Sequence, residues 1–234
     1  MEIETNGRFL ITGAAGDIAA SIIEQFAGAG ARLALADLDG DAVRDRARPH
    51  DAVAIEADLT DPAAVRTMVE KARHELGGFD GLIHTTGGFA MAPADEIDVG
   101  MYDRLFDLNM RTLALTVGAA LPPLIDQGHG FIAAFSAGPG WHRSGGAGMS
   151  LYAAAKAGVA AFLHAVQDEA GEHGIATAVV YPMGVVDTPG NRNAMPDADR
   201  SQWIDPAEIG RALLFTATRS PRGRISDLPV FPPG

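Results

Sequence analysis

The chain has 234 residues, the size of one large α/β domain, and 47% of them are hydrophobic, enough for a full core. With 30 acidic residues against 18 basic ones, its formal charge of −12 repels phosphate backbones and argues against nucleic acid as a partner. There is no cysteine, so disulfides, thiolate chemistry and cysteine–zinc sites are excluded, and no metal site is expected. The acidic, polar start Met1–Gly7 lacks the basic and apolar regions of a signal peptide. No apolar run approaches the ~20 residues of a membrane span. A soluble cytoplasmic protein with no membrane partner is the expectation.

Short apolar runs alternate with stretches of helical spacing. Arg8–Thr12 reads as a strand and runs into Thr12-Gly-Ala-Ala-Gly-Asp-Ile-Ala19, with a helix over Gly16–Gly28. Gly13 permits a tight turn, Gly16 a close approach of backbone to a pyrophosphate, and Ala19 close packing of helix on strand. The backbone from Gly13 through Ala15, Gly16, Asp17 and Ile18, at the start of a helix, is therefore a candidate dinucleotide cradle. Asp17 would repel a phosphate and is expected to point outward. Glycine also ends strands for local reasons, so the strand–loop–helix context carries the argument.

Arg32–Ala36 is a second strand, and Asp37 at its end stands at the distance suited to bonding both ribose hydroxyls of an adenosine; alternatively it is a turn residue before Asp39-Gly40. A 2′-phosphate there would meet Asp37 and Asp39 with no basic residue in the glycine loop, which favours NAD(H) over NADP(H). Ala52–Glu56 is a third strand and Pro62–Leu76 a helix. Between them Asp58-Leu59 either edges the adenine or supplies the helix N-cap. Gly81–His84 is a fourth strand, followed by Thr86, Gly87 and Gly88, which allow close approach to a cofactor or simply a turn.

A long helix is predicted over Met101–Gln127, bent or broken near Pro122-Pro123. Gly130–Phe135 is a fifth strand, Ser150–Glu172 a helix, Ala176–Tyr181 a sixth strand, Pro206–Thr218 a helix and Ile225–Val230 a last strand. Strands alternating with helices imply one Rossmann-type, doubly wound parallel sheet of about seven strands, helices on both faces, in a single domain over 1–234. The irregular, Pro-, Asn-, Asp- and Gly-rich stretch 183–205 is a candidate substrate loop.

Tyr152 and Lys156 lie four apart on the predicted helix and share a face. A bare phenol titrates near ~10; a cation held beside it lowers that value toward the working range. Alone, the spacing is common and is met in surface helix pairs. Combined with Thr12-Gly13-x-x-Gly16-x-x-Ala19, Asp58-Leu59, Thr85-Thr86-Gly87, Asn109 and Pro182…Thr188-Pro189, it resembles the short-chain dehydrogenase/reductase family over essentially the whole chain. The resemblance implies that Tyr152 exchanges a proton with a carbonyl or alcohol oxygen while Lys156 lowers its pKa and holds the nicotinamide ribose. It implies that Asn109 kinks the long helix and orders a water in a proton relay, and that Pro182, Gly184, Val185 and Thr188 border the nicotinamide.

The family's serine falls at Ala137, with Ser136 one residue early; adjacent residues of an extended segment face opposite ways. Ser136 is carried as a catalytic candidate, Ser144, Ser150 and His142 as substitutes, and Tyr152 acting unaided as the remaining possibility. Gly87-Gly88-Phe89-Ala90, the alanine at the serine position and Asp187–Arg192 are most similar to the dihydropteridine reductase-like branch, which uses NADH and lacks the serine. Phe89, Trp141, His142, Arg143 and Met183 are candidate substrate walls, with Trp141 alternatively packing locally. The resemblance implies a homodimer or homotetramer through the small-residue helix faces. The function expected is an NAD(H)-dependent carbonyl reductase or alcohol dehydrogenase acting on a small cyclic or aromatic substrate. The alternatives are an isomerase or lyase on the same scaffold and a non-catalytic dinucleotide-binding protein.

Overall fold

A computed structural model describes residues 3–143, 145–220 and 222–234. Seven strands form one sheet in the order β3-β2-β1-β4-β5-β6-β7, every pair parallel. They are β1 (Arg8–Thr12), β2 (Arg32–Asp37), β3 (Val53–Glu56), β4 (Gly81–His84), β5 (Gly130–Phe135), β6 (Ile175–Pro182) and β7 (Asp227–Val230). Buried strand residues alternate between two cores, as the two-residue period of a strand dictates. Leu10, Ala34, Leu82 and Ile132 face one core, which is completed by α3 (Pro62–Leu76), α5 (Thr112–Gln127) and α7 (Ser150–Ala170). Phe9, Ile11, Leu35, Ile83 and Phe131 face the other, covered by α1 (Asp17–Gly28), α2 (Gly40–Ala47) and α9 (Pro206–Thr218).

The chain leaves β1 toward β2 and β3, then returns to place β4 on the other side of β1. That reversal opens a crevice at the carboxyl ends of β1 and β4, where open α/β sheets bind ligands. Thr85 ties its rim: its backbone N–H and its hydroxyl both donate to Thr12 O, at 3.1 and 2.7 Å.

The long helix differs from the expected one. The prolines do not break it, because α5 runs through Pro122 and Pro123. The irregularity lies earlier, in a π-helical turn, Asp107–Arg111, between α4 (Val99–Phe106) and α5. Thr112 N–H there reaches back to Asp107 O, one residue further than an α-helix allows. Val99–Gln127 as a whole has the length and composition of a membrane crossing, which the sequence reading did not find. Leu113, Val117, Ala120 and Leu124 on one of its faces are nonetheless buried in the protein core, as in a core helix of a globular fold.

Candidate active site

The glycine loop is held by close contacts that only glycine allows. Gly13 has φ +70°, and a Cβ there would fall 2.7 Å from Thr86 N and 2.9 Å from Thr86 Oγ1. Gly16 is the N-cap of α1 and, having no side chain, makes no cap bond to the first-turn N–H groups. Asp17, the first residue of α1, is exposed as expected, yet its Oδ2 accepts from Gly190 N at 2.9 Å.

Asp37 forms the turn and also reaches the glycine loop. Its Oδ1 accepts from Asp39 N at 3.1 Å, a local turn bond, while Oδ2 reaches across to accept from Ala15 N at 3.0 Å. The carboxylate thus stands beside the glycine loop. Arg46 of α2 stands there too, donating from Nη2 to Ala15 O at 3.3 Å. The sequence reading found no cation at this position, because Arg46 belongs to a short polar helix that it did not recognise. Asp58 accepts from Thr60 N and Oγ1 at 2.8 and 2.7 Å, forming a turn; the N-cap of α3 is Asp61. Leu59 beside it is buried in the core.

At the far side of the crevice Lys156 and Asn109 converge on Gly87, with Tyr152 beside Lys156. A Cβ on Gly87 would lie 2.9 Å from Asn109 Oδ1 and 3.0 Å from Lys156 Nζ. Asn109 is buried, and its amide donates to Leu105 O at 2.8 Å and Gly88 O at 3.0 Å while accepting from Gly88 N at 3.2 Å. The π turn and the Gly87–Gly88 loop are thereby locked together. Lys156 Nζ lies 6.0 Å from the centre of the Tyr152 ring and donates to Phe135 O at 2.8 Å. Burial pushes the ammonium down to about 8 and the phenol up to about 12. The phenol therefore moves opposite to the direction expected from the spacing: burial outweighs a cation whose nearest bond is to a carbonyl.

Ser136 faces away from the crevice. Its hydroxyl is buried and donates to Lys156 O at 2.7 Å, so it braces α7. Ala137, at the serine's place, carries no hydroxyl. Ser150 is exposed at the start of α7, and Ser144 lies outside the described residues. Pro182 ends β6, and Met183, Gly184, Val185 and Thr188 follow it, with Thr188 buried. The candidate substrate loop is more ordered than its composition suggests: it contains α8 (Pro189–Ala194), and Val186 pairs with Ile204 at its base.

The candidate walls separate. Phe89 is 62% exposed, and its ring meets Tyr152 edge-on, centres 4.9 Å apart. Trp141 and His142 belong to a short helix, α6 (Gly138–His142), and are exposed; Trp141 packs edge-on against Tyr181 at 4.8 Å, as in the local-packing alternative. Arg143 is exposed too, and Met183 packs against the α5–α7 core.

His84 was missed by sequence reasoning, since a histidine ending a strand carries no motif. It is fully buried between Thr12 Oγ1 at 2.9 Å and Thr112 Oγ1 at 3.3 Å. Thr112 spends its own proton on Leu108 O, so it accepts from Nε2–H and leaves Nδ1 to accept from Thr12. Burial, with Lys156 nearby, pushes His84 down to about 3, so it is a neutral strut between β1 and the π turn.

The sequence and the fold match those of known proteins. The family model described as short chain dehydrogenase matches residues 8–199. A galactitol 2-dehydrogenase of Agrobacterium fabrum is 32% identical, with 93% of this chain and 84% of that protein covered. A 2,5-dichloro-2,5-cyclohexadiene-1,4-diol dehydrogenase of Sphingobium indicum is 28% identical over 89% of this chain and 88% of its own length. The crystal structure of a short-chain type dehydrogenase/reductase from Mycobacterium marinum superposes with a TM-score of 0.86 at 27% identity, covering 98% of this chain and 94% of that one. The chain belongs to the short-chain dehydrogenase family.

Proposed function

We propose that the protein is an NAD(H)-dependent oxidoreductase that interconverts a small carbonyl compound and its alcohol, with Tyr152 as general acid and base. The observation that carries this reading is the convergence of Lys156 and Asn109 on Gly87, next to the glycine loop, with the Tyr152 ring 6.0 Å from the Lys156 ammonium. The residues present fit a nicotinamide dinucleotide. Thr86 Oγ1 is buried beside Gly13 with no hydrogen-bond partner among the described residues, a cost that a ligand hydroxyl would remove. Gly13, Ala15, Gly16 and Ile18 would hold the pyrophosphate by backbone, Asp37 the adenosine ribose, and Lys156 with Gly87 the nicotinamide ribose. Pro182, Gly184, Val185 and Thr188 would border the nicotinamide. When bound, the dinucleotide supplies or accepts the hydride.

Tyr152, pushed up to about 12 by burial, carries its proton at neutral pH and so meets a carbonyl oxygen as a donor. With Ser136 turned to Lys156 O and an alanine at 137, Tyr152 polarises the substrate oxygen without a serine. Asp37 favours NADH, and Arg46 tempers that preference. The apolar ring of Phe89 over the phenol suits a cyclic substrate, with 183–205 as the substrate loop. Exposed Ala114 and Gly118 on α5 and Ala154 and Ala161 on α7 suit close self-association as a dimer or tetramer. The test is a panel of cyclic and open-chain ketones and alcohols with each cofactor, followed by cofactor absorbance. Turnover of a cyclic ketone with NADH is the expected result. A protein that binds neither cofactor and turns over nothing would overturn the proposal.

A further inference from the structure

Asp17 poses a problem for any dinucleotide site. It places a carboxylate in the first turn of α1, where the helix dipole and free N–H groups would otherwise attract a pyrophosphate. The aspartates at N-cap positions serve their own helices: Asp39, Asp61, Asp98 and Asp205 each accept from an N–H of the helix they cap. Asp17 does not. Its Oδ2 instead accepts from Gly190 N, 173 residues away in sequence, at 2.9 Å.

Gly190 belongs to a small, internally braced unit. Asp187 N donates to Ile204 O and Ile204 N to Val185 O, both at 2.8 Å. Asn191 Nδ2 donates to Val186 O at 2.8 Å, and Arg192 pairs with both oxygens of Asp187 at 2.6 and 2.8 Å. The Thr188 hydroxyl caps α8 by accepting from Asn191 N at 3.2 Å. Among the described residues, the bond from Gly190 is the one hydrogen bond this unit makes to α1 or the glycine loop. Glycine permits it, because a Cβ at 190 would already stand 3.0 Å from Asp17 Oδ2.

We propose that Asp17 is a positioning residue that latches the 186–194 unit against the end of the glycine loop and so slows departure of the dinucleotide. This rests on the dinucleotide reading above. The latch explains why a carboxylate is placed where its charge alone would weaken binding. It acts through Gly190 and touches no reacting atom.

Two variants separate the latch from the charge. Asp17→Asn removes the charge but keeps an oxygen able to accept from Gly190 N. Asp17→Ala removes both. NADH dissociation is measured by stopped-flow fluorescence on the full-length protein, together with hydrogen exchange of the 187–194 peptide without cofactor. The latch predicts that Asp17→Ala releases NADH on the order of tenfold faster, the size of one lost hydrogen bond to a charged acceptor, and that its 187–194 peptide exchanges faster. Asp17→Asn, which keeps an acceptor and loses the repelling charge, should release NADH no faster than the parent and leave exchange of the peptide within roughly twofold. Any result in which Asn and Ala behave alike, in either direction, overturns the latch; slower release in both would show that the carboxylate acts as a charge alone. Titration of the unaltered protein comes first. Absence of NADH affinity there overturns the dinucleotide reading, and with it the gating role, whatever the exchange data show.

Discussion

The two edges of the sheet solve the same problem in opposite ways. At the amino edge, Asp80 takes bonds from Arg8 N, Nε and Nη2 at 2.9, 2.9 and 2.7 Å and from His129 Nε2 at 3.3 Å. Arg8 Nη1 is used on Gly77 O, and Gln127 closes the cluster by donating to Phe79 O and His129 O. Polar atoms there have partners inside the protein. At the carboxyl edge, among the described residues, Thr86 Oγ1 is buried with none, the Lys156 ammonium is held by a single carbonyl, and glycines occupy the positions where side chains would fill the space. Satisfied buried groups stabilise a fold, whereas groups left short of partners await a ligand. The first edge is a structural clasp, and the second is the one that the proposed function uses.

The comparison is broken most sharply by exchanging the effects of one substitution at each edge. Tyr152→Phe should lower turnover by about 10²–10⁴-fold, the usual worth of a general acid, while leaving the melting temperature and NADH affinity nearly unchanged. Steady-state kinetics, calorimetry and fluorescence titration read the three quantities; undiminished turnover would remove Tyr152 from the chemistry. Asp80→Ala should do the reverse. Breaking a partly buried ion pair costs about 3 kcal/mol, or roughly 10 °C in a domain of this size, with turnover at 25 °C preserved. Burial pushes the Asp80 carboxyl up, but the bonds and charge of Arg8 and the bond from His129 win and hold it below the usual carboxylate range. A group depressed in this way stabilises the fold above its unfolded value and loses that contribution as pH falls. The stability gap between parent and variant should therefore close below about pH 4, as followed by denaturant titration. A gap that is constant with pH would mean that Asp80 acts through packing alone.

How far the two edges can be read from sequence differs for a physical reason. Strands buried on both faces leave uninterrupted apolar runs, and β1, β4 and β5 begin and end where their runs do. Local spacing likewise placed Tyr152, Lys156 and Gly13. Elements without an apolar run were invisible: α2 buries only Gly40, Val43 and Ala47, and α6 and α8 are short turns in Gly- and Pro-rich sequence. Prolines at 122 and 123 looked like a break, yet the helix carries on through them and the distortion sits at the π turn around Asn109. Contacts between distant segments leave no local trace. Asp17 with Gly190, Arg46 with Ala15, and His84 between Thr12 and Thr112 are of this kind, as are the bonds from Ser136 to Lys156 O and from Lys156 to Phe135 O.

A smaller effect sharpens the comparison within the carboxyl edge. Lys156 is pushed down to about 8 by burial, so its charge is fully present below that pH and is lost above it, while Tyr152 keeps its proton to about 12. His84, at about 3, is neutral across this range and contributes no limb. Carbonyl reduction should therefore be flat near neutrality and fall above pH 8, approaching about tenfold per unit if the ammonium is required. A rate that holds steady to pH 10 would show that Lys156 works without its charge.

The smallest effect tests the nucleotide end, where two side chains of opposite charge grip one residue. Asp37 accepts from Ala15 N at 3.0 Å and Arg46 donates to Ala15 O at 3.3 Å, so both flank the place proposed for the adenosine ribose. A carboxylate there bonds free hydroxyls and repels a 2′-phosphate; a guanidinium does the opposite. Asp37→Ala should shift the ratio of NADH to NADPH efficiency toward NADPH by about tenfold, the worth of a charged hydrogen bond near the surface. Arg46→Ala should move it the other way by a lesser amount, because the arginine is held by a single long bond. Salt should shrink both shifts, since the two groups are near solvent and are screened over about 10 Å at 0.1 M. Ratios of kcat/KM for the two cofactors, measured at low and moderate salt, decide the matter. If both variants moved the ratio in the same direction, cofactor choice would come from the shape of the loop at Ala15 rather than from the charges that flank it.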